Sequence, residues 1–114
     1  MDDIEIVWGD PKMGRTAARE SLALRTWGKD RWTVIKRRVA SLAAAPTLAD
    51  MRGVPGRFHQ LTGDRAFQFA LTINANERLV FEPDHDPLPA LPDGGVDLAA
   101  VTRIKIIEVV DYHA

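Results

Sequence analysis

Phe67-Gln68-Phe69-Ala70-Leu71-Thr72-Ile73-Asn74-Ala75-Asn76-Glu77-Arg78-Leu79-Val80-Phe81 is the stretch on which the fold turns. Phe67, Phe69, Leu71 and Ile73 alternate with Gln68, Ala70 and Thr72, a period of two that describes a strand with one buried face. Phe67 and Phe69 are therefore both expected in the core. Asn74 to Glu77 has hairpin-turn chemistry, and Leu79-Val80-Phe81 is the returning strand. Just upstream, Phe58-His59-Gln60-Leu61 reads as a short strand, joined through the turn Thr62-Gly63-Asp64-Arg65, where Gly63 can take a positive φ. Downstream, Asp84 to Gly95 is rich in Pro, Gly and Asp and reads as an exposed loop. Asp97 is placed to cap a short turn over Leu98 to Val101. Ile104 to Val110 is apolar on both faces, which puts that strand inside the sheet.

Before Arg57 one strand is followed by stretches of helical period. Asp3 to Trp8 alternates as a first strand, with Ile4, Ile6 and Trp8 on one side. Gly9-Asp10-Pro11 then turns, Asp10 caps, and Pro11 opens a helix running to about Leu24. Trp27-Gly28 breaks it. Trp32, Ile35, Val39 and Leu42 recur at helical spacing in the next helix, with Lys36, Arg37 and Arg38 mostly on the other side, and the helix stops near Pro46. Thr47 to Met51 fits one further short turn of helix. The order β-α-α-β-β-β-β predicts an α+β domain, with two N-terminal helices packed on one face of a mostly antiparallel, twisted sheet. With no repeat and no linker, residues 1–114 read as a single domain.

The 114 residues include no cysteine, which excludes disulfides, thiolate metal sites and a thiol nucleophile. No segment approaches a membrane span, and Asp2, Asp3 and Glu5 stand where a secretory signal would be basic, so a cytoplasmic location is expected. The net charge of -1 conceals an asymmetry: Pro11 to Arg65 holds twelve of the fifteen Lys and Arg residues but only four of the sixteen acids. That half can meet phosphate or an acidic partner, or can simply present solvated helix faces.

The last strand runs into Asp111-Tyr112-His113, a carboxylate, a phenol and an imidazole in succession; Tyr112 is the only tyrosine. These groups either finish at the rim of a site or cap a sheet edge. In a regular strand Asp111 and His113 share one face and Tyr112 takes the other. All three line one cleft only if the strand end twists or bulges. His113 is expected beside His59 on the concave face, with Asp111 as a group that orients an imidazole. His59, between Phe58 and Leu61, can equally be a strand residue with its tip in water. Asp84-His85-Asp86 is either a metal-ligand set or a solvated loop. Trp27 and Trp32 read as packing residues rather than a base-stacking platform. No nucleophile elbow or dinucleotide fingerprint occurs.

Val54-Pro55-Gly56-Arg57-Phe58-His59-Gln60-Leu61-Thr62-Gly63-Asp64-Arg65, then the phenylalanine strand, then Arg78-Leu79-Val80-Phe81, then Asp111-Tyr112-His113 together resemble the HigB toxins of the RelE/ParE superfamily of bacterial toxin–antitoxin systems. The match runs from about Thr47 to His113 in order and spacing, while the helical part matches in pattern. The resemblance implies a metal-free, cofactor-free endoribonuclease that cuts messenger RNA on the ribosome. Its partner would be a HigA-like helix-turn-helix antitoxin, and operator DNA would be reached only through that antitoxin. The family's motif histidine falls on His59 and its terminal cluster on Asp111, Tyr112 and His113, the implied catalytic set. Arg57, Arg65 and Arg78 are the implied RNA and phosphate ligands. Attack of a 2′-hydroxyl on the adjacent phosphate needs a base, an acid and cations, which these residue types supply. The chain departs from the family where a lysine is usual, three residues after the motif histidine. Thr62 stands there and carries no charge, a loss worth about 10²–10³ in rate if uncompensated. Arg57 and Arg65 are the candidates to compensate. Two other functions are compatible with the fold: a toxin-fold protein of little nuclease activity that binds an antitoxin in a repressor complex, and a gyrase poison of the ParE type.

Overall fold

The computed structural model describes residues 3–111. Strand β1 (Glu5–Trp8) leads into helices α1 (Pro11–Ala17) and α2 (Glu20–Ala44). A 3₁₀ turn (Leu48–Met51) precedes β2 (His59–Gln60), and a second (Gly63–Arg65) joins β2 to β3 (Phe69–Thr72). Strand β4 (Glu77–Pro83), a third 3₁₀ turn (Leu98–Ala100) and β5 (Arg103–Asp111) complete the order. The sheet runs β1-β5-β4-β3-β2, with β1 parallel to β5 and all other pairs antiparallel. The apolar β5 is thus an interior strand, as its composition predicts. Both helices pack on one face of the sheet, giving the α+β architecture expected.

The Asp10 side chain accepts from the Lys12 amide at 2.9 Å and Pro11 occupies the first turn, so α1 starts as read. It ends sooner. Arg19 is extended and the chain re-enters a helix at Glu20, which turns Ala23, Trp32, Ile35 and Leu42 onto the sheet as buried residues. Gly28 interrupts α2 with φ 80° and ψ 166°, a conformation open to glycine. The break frees carbonyls, and Arg31 takes them up: Nε donates to Trp27 O at 2.7 Å and Nη2 to Thr26 O at 3.3 Å. Its Nη1 reaches Glu77 on β4 at 2.7 Å, so one side chain satisfies the kink and ties it to the sheet.

The core lies between α2 and the inward residues Phe69, Leu71, Leu79, Phe81, Ile104 and Ile106, all essentially inaccessible. Phe58, Phe69 and Phe81 stack with centroids 5.4–6.2 Å apart. Phe67 departs from expectation: it is 53% exposed. The turn after Gly63–Arg65 extends through Ala66 and Phe67, with Gln68 N donating to Arg65 O, so the alternating pattern starts before the strand does. Asp97 stands at the cap position of the third 3₁₀ turn, but its side chain makes no capping bond. Among the described residues no helix is long and apolar enough to cross a membrane.

One irregularity governs which side chains reach the outer face. In the β4–β5 pairing Val80 faces Glu108 but Phe81 faces Ile106, leaving Ile107 as an extra residue. Such a bulge reverses the alternation beyond it. Ile104 and Ile106 point to the helices, and past the bulge Glu108 and Val110 point away from them.

Candidate phosphate-binding face

Cross-strand partners share a face, so the register defines two rows on the helix-free side of the sheet. His59, Ala70, Val80 and Glu108 form one row; Thr72, Arg78 and Val110 form the next. Two adjoining clefts lie along these rows. One, of about 240 Å³, is lined by Leu61, Thr62, Arg65, Ala70, Arg78, Val80 and Val110. The other, of about 460 Å³, is lined by Arg57, Phe58, His59, Thr72 and Arg78. Arg78 belongs to both and joins them. Four residues singled out from the sequence, Arg57, His59, Arg65 and Arg78, are therefore gathered on one surface, together with Thr62.

His59 has a defined tautomer. Its Nδ1 lies 2.8 Å from the Arg57 carbonyl oxygen, which can only accept. Nδ1 therefore carries the hydrogen, and in the neutral ring Nε2 keeps a lone pair able to take a proton. The carbonyl is aimed there by unusual backbone: Arg57 has φ 54°, in the left-handed region that costs a non-glycine residue roughly 1–2 kcal/mol. Gly56 before it has φ 124°. The turn is pinned from both sides, Thr72 N donating to Gly56 O at 2.7 Å and Arg38 Nε to Thr72 O at 2.9 Å. Helix α2 thus supports the imidazole through Arg38 and β3.

The arginines differ in how far they are committed. Arg78 Nη1 donates to the carbonyls of Asn74 and Glu77 at 3.3 and 3.2 Å. Arg65 Nη1 donates to Gln68 Oε1 at 2.8 Å, and its Nη2 pairs with Glu108 Oε1. Among the described residues, Arg57, Arg65 and Arg78 bring three guanidinium groups to the walls of the two clefts, and Glu108 brings a carboxylate to Arg65. Glu108 was not legible as a site residue, because only the bulge turns it outward. It stands three strands from His59, roughly 14 Å between backbones at ~4.8 Å per strand, so the two address different ends of the face.

Asp111 lies elsewhere. It pairs with Glu77, whose carboxylate faces Arg31 of α2, so it sits on the helix-bearing side of the sheet, away from His59. Tyr112 and His113 lie outside the described residues. In the Asp84-His85-Asp86 stretch the first two side chains are committed to structure: His85 Nε2 accepts from the amides of Thr102 (3.1 Å) and Arg103 (3.3 Å), and Asp84 pairs with Arg103 at 2.7 Å. Among the described residues no three His, Asp or Glu side chains are grouped to hold a metal ion.

A larger cavity, about 590 Å³, lies on the helix side between α1 and α2, bordered by Trp8, Gly14, Trp32, Glu20, Lys36 and Val39. It is mainly apolar, and Glu20 is its single carboxylate. The buried Trp32 indole N–H makes no direct hydrogen bond but lies beside that carboxylate. The indole and the Lys36 ammonium, 3.2 Å away, hold the Glu20 carboxyl below the usual carboxylate range. Lys36 also lies over the Trp32 ring, and Arg38 is spent on Thr72, so the basic α2 segment is not one uniform free patch.

No protein-family model matches the sequence, and no curated protein matches it. Two solved structures are similar in fold. One is a YoeB/ParE toxin from Agrobacterium tumefaciens, with TM-score 0.59 and 14% identity over 95% of this chain and 98% of that one. The other is the YoeB–YefM complex from Staphylococcus aureus, with TM-score 0.58 and 17% identity over 97% of this chain and 98% of that one. The two helices on a five-stranded sheet, present over nearly the full length of both neighbours, give this chain the YoeB/ParE toxin fold.

Proposed function

We propose that the protein is the toxin of a toxin–antitoxin system, HigB-like in its motifs, and acts as a metal-free endoribonuclease on messenger RNA. The observation that carries this reading is His59, with Nδ1–H locked on the Arg57 carbonyl and Arg78 joining the two cationic clefts beside it. His59 Nε2 takes the proton of a 2′-hydroxyl, whose oxygen attacks the adjacent phosphorus. Charge builds on the phosphorane oxygens, where Arg57, Arg65 and Arg78 stabilise it. The 5′-oxygen leaves with a proton from the terminal cluster, for which His113 and Tyr112 are the candidates, and the products end in a 2′,3′-cyclic phosphate and a 5′-hydroxyl. Asp111, on the other side of the sheet, fits an orienting role for the strand end rather than contact with RNA. The ribosome-bound message is the expected substrate and the cytoplasm the expected place of action. The Staphylococcus aureus neighbour was solved with YefM, which supports an antitoxin partner here. The motif resemblance points to a HigA-like helix-turn-helix protein that would carry the pair to operator DNA.

Induced expression should arrest growth and yield messages cut within their translated regions, with cyclic-phosphate ends. His59→Ala should lower cleavage by about 10²–10⁴, the usual worth of a general base, and relieve arrest while the protein stays folded. A harmless wild type, or undiminished cleavage by His59→Ala, removes the nuclease assignment. Thr62 on the cleft wall in place of a cation favours a second reading, an antitoxin-binding protein of low nuclease activity. That reading predicts tight antitoxin binding without arrest. A DNA-damage response without message cleavage would instead mark a gyrase poison.

A further inference from the structure

Arg65 lines the smaller cleft, but its fork is already occupied. Nη1 is held by Gln68 and Nη2 by Glu108, whose oxygen meets it as a phosphate oxygen would. Glu108 reaches that position only because the bulge at Ile107 turns it onto the helix-free face. Its cross-strand row on that face is apolar, Val80 and then Ala70. Both side chains are partly exposed, 43% for Arg65 and 35% for Glu108, so the pair is screened by water and readily exchanged. An arginine fork suits a phosphodiester as well as it suits a carboxylate.

We infer that Glu108 is a built-in competitor for phosphate: it holds Arg65 in an anion-bound geometry and must be displaced before Arg65 engages the RNA backbone. The inference rests on the nuclease reading for the identity of the anion. Glu108 sets a threshold, since RNA weakly held elsewhere on the face does not recruit Arg65. It also neutralises the charge that Arg65 brings to the smaller cleft. A positioning role would have the opposite sign, because an arginine released from its one acidic partner among the described residues would lose its aim.

The test is binding of a single-stranded RNA oligonucleotide, 2′-O-methylated throughout so that it cannot be cut, followed by fluorescence anisotropy at low and physiological salt. Glu108→Gln keeps the shape and an acceptor oxygen but removes the charge. It should bind about fivefold more tightly, the equivalent of the ~1 kcal/mol upper value of an exposed ion pair. The gain should vanish when Arg65→Met is added. Unchanged or weaker binding by Glu108→Gln overturns the inference, as does a gain that survives Arg65→Met or a failure of both proteins to bind the oligonucleotide. Cleavage is scored separately. If Glu108→Gln binds more tightly through Arg65 while the wild type cuts no message, the competitor stands and the nuclease reading falls. If the wild type cuts and Glu108→Gln binds no better, only the competitor falls.

Discussion

Replacing Gly56 by alanine should be among the more damaging small substitutions in this protein. Its φ of 124° lies in a region nearly reserved for glycine, and an alanine there costs about 1–3 kcal/mol. The new Cβ would lie 2.9 Å from Arg38 Nε, 3.1 Å from its Cδ and 3.3 Å from Leu71 Cδ2. The Arg38 atoms cannot swing away without loss, because Nε donates to Thr72 O at 2.9 Å in a partly buried position. A hydrogen bond from a charged donor is worth about 1.5–3 kcal/mol, so the combined loss is about 2.5–6 kcal/mol. At roughly 4 °C per kcal/mol for a chain near this length, the melting temperature should fall by about 10–24 °C. Urea unfolding should show a lower midpoint at an unchanged slope. Arg38→Ala supplies the control: with the Arg38 clash gone and only the 3.3 Å approach to Leu71 left, Gly56→Ala should cost little more than the backbone strain, a coupling of about 1.5–3 kcal/mol between the two sites. A loss below ~1 kcal/mol in the wild-type background, or equal losses in both, would refute the reasoning.

Three further outcomes follow from particular contacts. Arg57→Gly removes left-handed strain worth roughly 1–2 kcal/mol but adds freedom to the unfolded chain, so it should stabilise by up to ~1 kcal/mol; a thermal melt checks this, and RNA binding should weaken as a cation leaves the cleft. His85→Ala strips the acceptor from the amides of Thr102 and Arg103 and should destabilise by about 1–3 kcal/mol in urea titration. Glu20 titrates below the usual carboxylate range through the Trp32 indole and then Lys36. Its contribution to stability is present above its unfolded pKa and is lost as pH falls through the lowered folded value. Carboxyl NMR should find Glu20 titrating higher in Lys36→Met, and no change would show that the ammonium is not a cause.

The sequence alone determined most of the secondary structure, because short-range rules govern it. The alternation at Phe69, Leu71 and Ile73, the cap at Asp10, the break at Gly28, the turn at Gly63 and the apolar final strand each act within a few residues, and each is present. The exposed Phe67 shows the limit: periodicity marks a face but not where pairing starts, and the 3₁₀ turn before β3 consumes two residues of the pattern. Four of the candidate site residues were nameable from the residues and motifs, since arginine and histidine are the types that phosphate chemistry requires. Their assembly was not. The sheet order brings β2, β3, β4 and β5 side by side, and that rests on pairings between distant segments which no local pattern encodes. The division of the C-terminal strand was decided in tertiary structure as well. One extra residue at Ile107 changes which side chains face outward, sending Glu108 to Arg65 and Asp111 to the helix side. Nothing in Ile106-Ile107-Glu108 announces a bulge, because its cause is the fit of β5 against β4 over the core.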